Sequence, residues 1–132
     1  MKGWIGVDLD GTLAEWHGWH DDGGIGAPIA PMVERVKKWL AQGQEVRIMT
    51  ARVGASGKWS HKAGAYDDHR FAQYQRECIE AWCLLHIGQV IPVTATKDMD
   101  MLCLYDDRAV AVEKNTGRVF SFREEFNHST ED

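Results

Sequence analysis

The chain has 132 residues, of which 44% are hydrophobic and 27% are charged, and its net charge is −5. This length is that of one domain, so we interpret residues 1–132 as a single domain with its own core. The composition excludes a mostly disordered chain. The acidic excess argues against broad, non-specific binding to duplex nucleic acid, which needs a basic surface.

The first half of the chain predicts a strand, a loop, a helix and a second strand. Trp4–Val7 is a short apolar run of the kind that forms a buried strand. Residues 14–27 are rich in Gly, Trp and His without a period, which indicates a loop that we interpret as a flap. A helix begins at Pro31 and stops at Gly43. The alternation over residues 45–50 predicts the second strand.

The second half continues this alternation. Residues 53–67 are irregular and predict a loop on the substrate side. Apolar residues at helical spacing over 71–85 predict a longer helix. Strands are predicted at 90–96 and 101–105, and Pro92 favours a sheet edge for the former because proline cannot donate a ladder hydrogen bond.

Strands that alternate with helices predict the α/β class. We expect a three-layer αβα, Rossmann-like fold with a mostly parallel sheet and helices on both faces. Two short apolar segments, 109–112 and 118–120, flank a turn signal at 115–117, and residues 127–132 are expected to form a flexible tail. Ligands in such folds bind beyond the carboxyl ends of the strands, where several polar residues of this chain fall.

The three cysteines indicate the compartment. Cys78, Cys83 and Cys103 form no CxxC pair, and their number is odd, so neither a disulfide framework nor a zinc ribbon is supported. We expect a cytoplasmic protein in which the cysteines fill space in the core. No apolar run is long enough to span a membrane, and Asp8 interrupts the N-terminal run before a signal peptide could form.

Two acidic pairs are the strongest chemical signal. Asp8 and Asp10 follow the first strand two positions apart, so both side chains can point into one site, and Gly11 permits a sharp turn there. Asp106 and Asp107 follow the last predicted strand. Carboxylates that lie this close repel each other, and a hard cation such as Mg²⁺, which prefers oxygen ligands, would relieve the repulsion.

Two further polar residues suit a phosphoryl group. Thr50 stands just past the second strand and offers a hydroxyl donor, while Lys97 offers a compact positive charge. Positioning and charge stabilisation supply most of the catalysis in phosphoryl transfer. An aspartate can act as the nucleophile, and a second carboxylate can protonate the leaving oxygen and then activate water.

The order of these motifs resembles the haloacid dehalogenase superfamily of phosphohydrolases, over residues 3 to about 112. The resemblance implies that Asp8 is the nucleophile and a metal ligand, and that Asp10 is the general acid and base and binds the metal through its backbone carbonyl. It implies that Thr50 and Lys97 hold the phosphoryl oxygens. In the fourth motif it implies a metal ligand at Asp106, with Asp107 either a second ligand or its support.

Two departures from the family pattern are visible. Asp106 follows Lys97 by nine positions, too few for the helix that many members place there, and this short spacing resembles the deoxyribonucleotidase branch. Neither irregular loop is long enough for a large cap domain. A capless member has an open site or gains cover from a partner subunit, which would make this chain a homo-oligomer.

Four short segments, at 10–14, 31–33, 50–52 and 105–108, resemble the 3′-phosphatase domain of phage polynucleotide kinases. That resemblance points to a nucleotide or a nucleic-acid end as the substrate. We accordingly assign substrate contacts to seven residues: Gly11, Thr12, Trp16, Ala51, Arg52, Lys58 and Arg108.

Some of these assignments have plain alternatives. Trp16, with the other aromatic residues of the flap, either stacks on a flat leaving group or pins the loop as a small core. The cations Arg52 and Lys58 either contact the remainder of the substrate or belong to an exposed loop. Arg108 either binds substrate or makes a surface ion pair.

The sequence therefore predicts a Mg²⁺-dependent phosphomonoesterase that acts on nucleotides or related small molecules through an aspartyl-phosphate. The nearest alternative is a 3′-end phosphatase acting on DNA or RNA. A phosphoacceptor signalling domain uses similar residues, but its acidic pair comes early in the chain and its acceptor later, the reverse of the order here. A catalytically silent binding domain is the third alternative.

Overall fold

The computed structural model describes residues 2–18, 23–54 and 68–120. Strands β1 (Trp4–Asp8), β2 (Glu45–Met49), β3 (Val93–Thr94) and β4 (Met101–Tyr105) form one sheet. Its order is β3-β2-β1-β4, and every pair in it is parallel. Helix α1 (Ala30–Ala41) lies between β1 and β2, and helix α2 (Asp68–His86) between β2 and β3. The predicted α/β class and parallel sheet are confirmed.

The apolar core lies between the helices and one face of the sheet. Ile5 pairs with Val46 and Val7 with Ile48, so these side chains share a face. One cluster joins them to buried apolar residues of both helices, namely Met32, Val33 and Val36 of α1 and Ile79, Trp82 and Cys83 of α2. Within the described residues, both helices therefore cover the same face.

The opposite face of the sheet has a different cover. Trp4 is fully buried but lies outside the core cluster, because successive side chains of a strand point to opposite faces. The guanidinium of Arg47 lies 4.5 Å from the centre of the Trp4 ring. The indole N–H of Trp4 donates to Asp98 at 2.8 Å. No helix covers this face in the described ranges, so the expected third layer does not appear among them.

The two edge strands show where the sequence analysis was right and wrong. β3 is an edge, as Pro92 predicted, but it is limited to two residues rather than the predicted 90–96. β4 is the other edge, and Leu102 and Cys103 are exposed there. The expectation that the cysteines fill the core is thus confirmed for Cys83 and wrong for Cys103.

The carboxyl ends of the parallel strands meet at one edge of the sheet, which is where a site can form. The loop after β1 turns back at once, with a bridge between Ala14 and Pro28 and a hydrogen bond from the Glu15 N–H to the Ala27 carbonyl at 2.8 Å. The base of the predicted flap is therefore fixed next to that edge.

Several predicted features fall outside the described residues: the flap residues 19–22, most of the 53–67 loop including Lys58, and the tail 127–132. The segments 109–112 and 118–120 are joined by a single antiparallel bridge between Val112 and Val119. None of the helices in the described part of the chain is both long and apolar enough to span a membrane.

Candidate active site

Three carboxylates converge at the carboxyl ends of β1 and β4. Asp8, Asp106 and Asp107 each offer one carboxylate oxygen, and these three atoms lie within 4.8 Å of one another. The parallel pairing of β1 with β4 causes this, because Val7 stands beside Tyr105 and the residues after them continue to the same edge. Oxygen atoms of carboxylates are the ligands that Mg²⁺ prefers, so this donor set fits that ion.

The surroundings of this cluster disfavour a negative charge on Asp8. The pKa of Asp8 is raised from its usual 3.8 to about 8. Burial is the largest cause, followed by a hydrogen bond with Asp107 and by the negative charges of neighbouring carboxylates, of which Asp106 is the first. Because the pKa of Asp8 is about 8, the cluster holds either a proton or a cation near neutral pH. This is a second reason that a divalent ion suits the cluster.

Gly11 and Thr12 support this cluster from behind. The Thr12 hydroxyl accepts from the Asp107 N–H at 2.9 Å and lies 3.0 Å from Asp107 Oδ1 and 3.4 Å from Asp8 Oδ2. Gly11 has a φ of +91°, and a Cβ there would lie 2.5 Å from Asp107 Oδ2. We predicted substrate contacts for both residues; in the structure both lie against the acidic cluster, and neither is among the residues that line the cavity in front of it.

Asp10 lies in a different environment, because it is paired with a buried arginine. Arg52 is 1% exposed; its Nε donates to Asp10 Oδ2 and its Nη2 to Asp10 Oδ1, both at 2.8 Å. We predicted a substrate contact for Arg52, whereas the structure gives its guanidinium a two-point bond to Asp10. This pair fixes both oxygens of the carboxylate.

Thr50 shapes the wall between these two groups. It is 4% exposed, directly follows β2, and its hydroxyl oxygen accepts from the backbone N–H of Arg52 at 3.1 Å. Thr50 is also one of the residues that line the cavity. The short 3₁₀ turn over Ala51–Val53 begins at this bond and carries Arg52 back toward Asp10.

The aspartates, Thr50 and Arg52 line one cavity of about 420 Å³. Its walls contain both pairs of aspartates, the Thr50–Arg52 turn and an apolar part, and the lining residues are Asp8, Asp10, Trp16, Met49, Thr50, Ala51, Arg52, Ala95, Leu104, Asp106, Asp107 and Arg108. The volume is in the usual range for a small-molecule site. Asp106 Oδ1 accepts from the Arg108 N–H at 2.7 Å, which turns the chain so that Arg108 reaches the wall.

Of the two lysines predicted for this site, the structure describes one. Lys97 is exposed and is not among the lining residues, although Ala95, two positions earlier, is one of them. Lys58 lies outside the described residues. Arg108, also predicted to bind substrate, does line the cavity. It differs from Arg52, whose guanidinium is bound to both oxygens of Asp10.

Trp16 is 42% exposed and lines the cavity, which favours the stacking alternative over a role as a loop core.

Sequence analysis missed Gln75, which is fully buried on α2 and whose Oε1 accepts from Arg52 Nη1 at 2.8 Å. The sequence did contain a signal for Gln75. It lies at helical spacing between Phe71 and Ile79, which are both buried, so a polar residue there should have indicated a buried hydrogen-bonding role.

Comparison with known proteins adds no relative to this picture. No family model, no curated protein and no solved structure matches the chain. The resemblance to the haloacid dehalogenase superfamily therefore depends on the order of the motifs, and the function has to be argued from the geometry of the cavity.

Proposed function

We propose that the chain is a Mg²⁺-dependent phosphomonoesterase of the haloacid dehalogenase type. The observation that carries the proposal is the convergence of Asp8, Asp106 and Asp107, with one oxygen of each within 4.8 Å, on a cavity that Asp10 and Thr50 also line. Clustered carboxylates beside a separately held carboxylate supply both a cation site and an acid–base group, the two parts that phosphoryl transfer through an aspartate requires.

In the first half of the proposed reaction, a carboxylate oxygen of Asp8 attacks phosphorus. An Asp8 oxygen–phosphorus bond forms, the bond from phosphorus to the leaving oxygen breaks, and Asp10 gives that oxygen a proton. In the second half, Asp10 takes a proton from water, and the water oxygen attacks phosphorus. The bond to Asp8 then breaks, and inorganic phosphate leaves.

The proposed ligands of Mg²⁺ are Asp8, Asp106 and Asp107, together with the backbone carbonyl of Asp10. When bound, the ion would neutralise negative charge on the phosphoryl oxygens and on the carboxylates around them. We assign the binding of the phosphoryl oxygens to the Thr50 hydroxyl and to Lys97. Lys97 does not line the cavity, but it follows the lining residue Ala95 by two positions, and its long side chain is exposed.

The preferred substrates we propose are nucleotides or related small phosphomonoesters. A cavity of about 420 Å³ supports a small substrate, and a half-exposed Trp16 in its wall supports a flat leaving group. Arg108, on the same wall, is assigned to the remainder of the substrate. The proposal also includes a third layer of the fold, a cytoplasmic location and the cover of the open site by a second copy of the chain.

The direct test is the release of phosphate from a panel of monoesters with and without Mg²⁺. We expect turnover with Mg²⁺, none with EDTA, and none for Asp8→Asn, because an amide oxygen is a poor nucleophile. Asp100→Asn is the matched control, since it makes the same chemical change at an exposed turn before β4 and should keep full activity.

The alternatives predict other results in the same assay. A preference for 3′-phosphorylated oligonucleotides, with a steep dependence on salt, would identify a nucleic-acid 3′-end phosphatase. A stable phosphoryl group on Asp8 would identify a phosphoacceptor domain. An active Asp8→Asn variant would refute the nucleophile assignment, and a panel without any turnover would leave a binding domain.

A further inference from the structure

One side of helix α2 contains a polar residue that its position does not explain. Phe71, Gln75 and Ile79 lie four positions apart on one face of the helix, and all three are buried. Gln75 is 0% exposed, so its amide needs partners inside the protein. A leucine would fill such a position without needing any hydrogen-bond partner.

The partners of Gln75 are all connected with the candidate site. Its Oε1 accepts from Arg52 Nη1 at 2.8 Å, and its Nε2 lies 3.4 Å from the Gly23 carbonyl oxygen, to which it donates. Gly23 has a φ of +70°, and a Cβ there would collide with the Gln75 amide. Glycine thus lets the backbone of the returning flap approach both the arginine and the glutamine.

The guanidinium of Arg52 is held on its other edges as well as by Asp10. Besides Gln75, Nη1 donates to the Gly23 carbonyl at 2.6 Å, and Nη2 donates to the Gly24 carbonyl at 3.0 Å. The planar fork therefore has acceptors on three elements: the loop after β1, the flap and α2. A rigid fork with all its edges engaged holds its partner carboxylate in one orientation.

We infer that Gln75 is a positioning residue for Asp10, acting through Arg52. Its Oε1 fixes the Nη1 edge of the guanidinium, so that Nε and Nη2 face the two oxygens of Asp10. A neutral amide suits this task, because a carboxylate at position 75 would compete with Asp10 for the same cation. The inference rests on the proposed function in one respect, namely that Asp10 protonates the leaving oxygen.

A displaced acid has a characteristic kinetic effect. An alkyl leaving group needs a proton as its bond to phosphorus breaks, whereas 2,4-dinitrophenolate leaves without one. A change in the position of Asp10 therefore lowers kcat/KM for an alkyl phosphate and leaves kcat/KM for 2,4-dinitrophenyl phosphate unaltered. A general loss of folded protein lowers both values by the same factor.

The experiment compares these two substrates, with Mg²⁺, in Gln75→Leu and in the wild type. We expect the ratio of kcat/KM for the alkyl phosphate to that for 2,4-dinitrophenyl phosphate to fall roughly tenfold or more, the value of a hydrogen bond to a charged group. If Gln75→Leu does not fold, Gln75→Met, which keeps the unbranched shape, replaces it. An unchanged ratio would overturn the inference.

The matched control is Gln44→Leu. Gln44 is also a buried glutamine, 7% exposed, but its Nε2 donates to the carbonyls of Gly3 and Glu45, both at 2.9 Å. These groups lie at the start of β2, whereas Arg52 follows the end of that strand. The same substitution there should leave the ratio of the two kcat/KM values at the wild-type level. A fall equal to that of Gln75→Leu would show that the ratio does not depend on the bond to Arg52, which overturns the inference.

A second measurement does not depend on turnover. In ¹⁵N–¹H spectra of the guanidinium groups, with Arg52 assigned from Arg52→Lys, the wild type should give separate, slowly exchanging Nη signals. In Gln75→Leu the Nη1 hydrogens should exchange faster, while Gln44→Leu matches the wild type. If the wild type hydrolyses no monoester but the signals change in this way, the proposed function fails and the positioning of Arg52 stands. Unchanged signals would overturn it.

Discussion

Asp8 and Asp10 are two positions apart in the chain, yet they lie in opposite electrostatic surroundings. On the β4 side, Asp8 is partly buried beside two other carboxylates, and its burial together with these neighbours raises its pKa to about 8. On the β2 side, Asp10 receives two hydrogen bonds at 2.8 Å from the buried Arg52. Which role each aspartate can take is thus decided by the strand next to β1 rather than by the motif that both share.

The acidic side and the arginine side also differ in how their negative charge is balanced. The acidic side has an excess of negative charge that a cation would balance, and the arginine side brings its own cation. Asp8 can act as the nucleophile only when a bound cation takes the place of its proton, because a protonated carboxyl group is a poor nucleophile. Substitutions on one side should therefore have effects that differ from those on the other side.

The largest effect is expected from Arg52→Lys, which breaks the arginine side. Lysine keeps the charge but cannot bond both oxygens of Asp10, so kcat/KM for an alkyl phosphate should fall roughly 10²–10⁴-fold, the value of a positioned acid or base. The acceptors of Gly23, Gly24 and Gln75 also lose donors, which should lower the free energy of unfolding in urea by roughly 1–3 kcal/mol.

Arg47→Lys is the control for this change. Arg47 lies over Trp4 on the opposite face of the sheet and makes half-exposed ion pairs with Glu45 and Asp98. The same substitution there should leave kcat/KM unaltered. Wild-type activity in Arg52→Lys would show that Asp10 works without a bidentate partner, and the contrast between the two sides would lose its functional meaning.

The second effect concerns the acidic side and depends on pH. The pKa of Asp8 is about 8 in the folded chain, compared with its usual value of 3.8 in an unfolded chain. Between pH 3.8 and about pH 8, the folded chain therefore holds a proton that the unfolded chain has released. The stability of the metal-free protein should therefore fall as pH rises from about 4 to about 8 and level off above. Mg²⁺ competes with this proton, so it should stabilise the protein more at pH 8 than at pH 5.

Thermal unfolding measures this directly. At roughly 100 times its Kd, Mg²⁺ should contribute about 2.7 kcal/mol, or a rise in Tm of roughly 10 °C, at pH 8 and a smaller rise at pH 5. Asp8→Asn removes the titrating group and should reduce both the pH dependence and the rise. An equal rise at both pH values in the wild type would show that Mg²⁺ does not bind at Asp8.

A smaller effect is expected at Thr12, whose hydroxyl joins the two acidic motifs. Thr12→Val keeps the shape and removes the contacts with Asp107, so affinity for Mn²⁺ or Mg²⁺, measured by calorimetry, should fall roughly tenfold. Thr12→Ser keeps the hydroxyl and is expected to bind the ion like the wild type. Equal affinities in all three proteins would mean that Asp107 does not need this support to act as a ligand.

Local pattern predicted most of the elements. β1, α1, β2 and β4 begin and end within about a residue or two of their expected bounds, because each has a clear period or an apolar run with a stop signal. β3 was predicted too long because residues 90–92 are as apolar as a strand, and periodicity does not reveal whether a strand has a partner. Exposure of Cys103 likewise depends on β4 being an edge, which is a property of the whole sheet.

The same distinction applies to the site. The convergence of Asp8 with Asp106 and Asp107 follows from the rule that parallel strands end at one edge, so the sequence predicted it. The bond between Arg52 and Asp10 spans 42 positions, and nothing local distinguishes Arg52 from a surface arginine. Gln75 is further removed still, because its role depends on a partner that is itself found only in the fold.

The smallest expected effect is at Trp16, on the flap whose far end contacts Arg52 through Gly23 and Gly24. If its half-exposed ring stacks on a base, Trp16→Ala should raise KM for a nucleoside monophosphate about fivefold or more, the value of roughly 1 kcal/mol of stacking, with little change in kcat. Trp16→Phe keeps a flat ring and should retain most of the affinity.

Glycerol phosphate, which has no flat group, separates stacking from shape. Its KM should be the same in Trp16→Ala and the wild type, because only a planar leaving group gains from the ring. If KM rises equally for both substrates, Trp16 closes the cavity wall without contacting a base. The effect of the flap would then reach the chemistry through its backbone bonds to Arg52, and the arginine side would include the flap as well as α2.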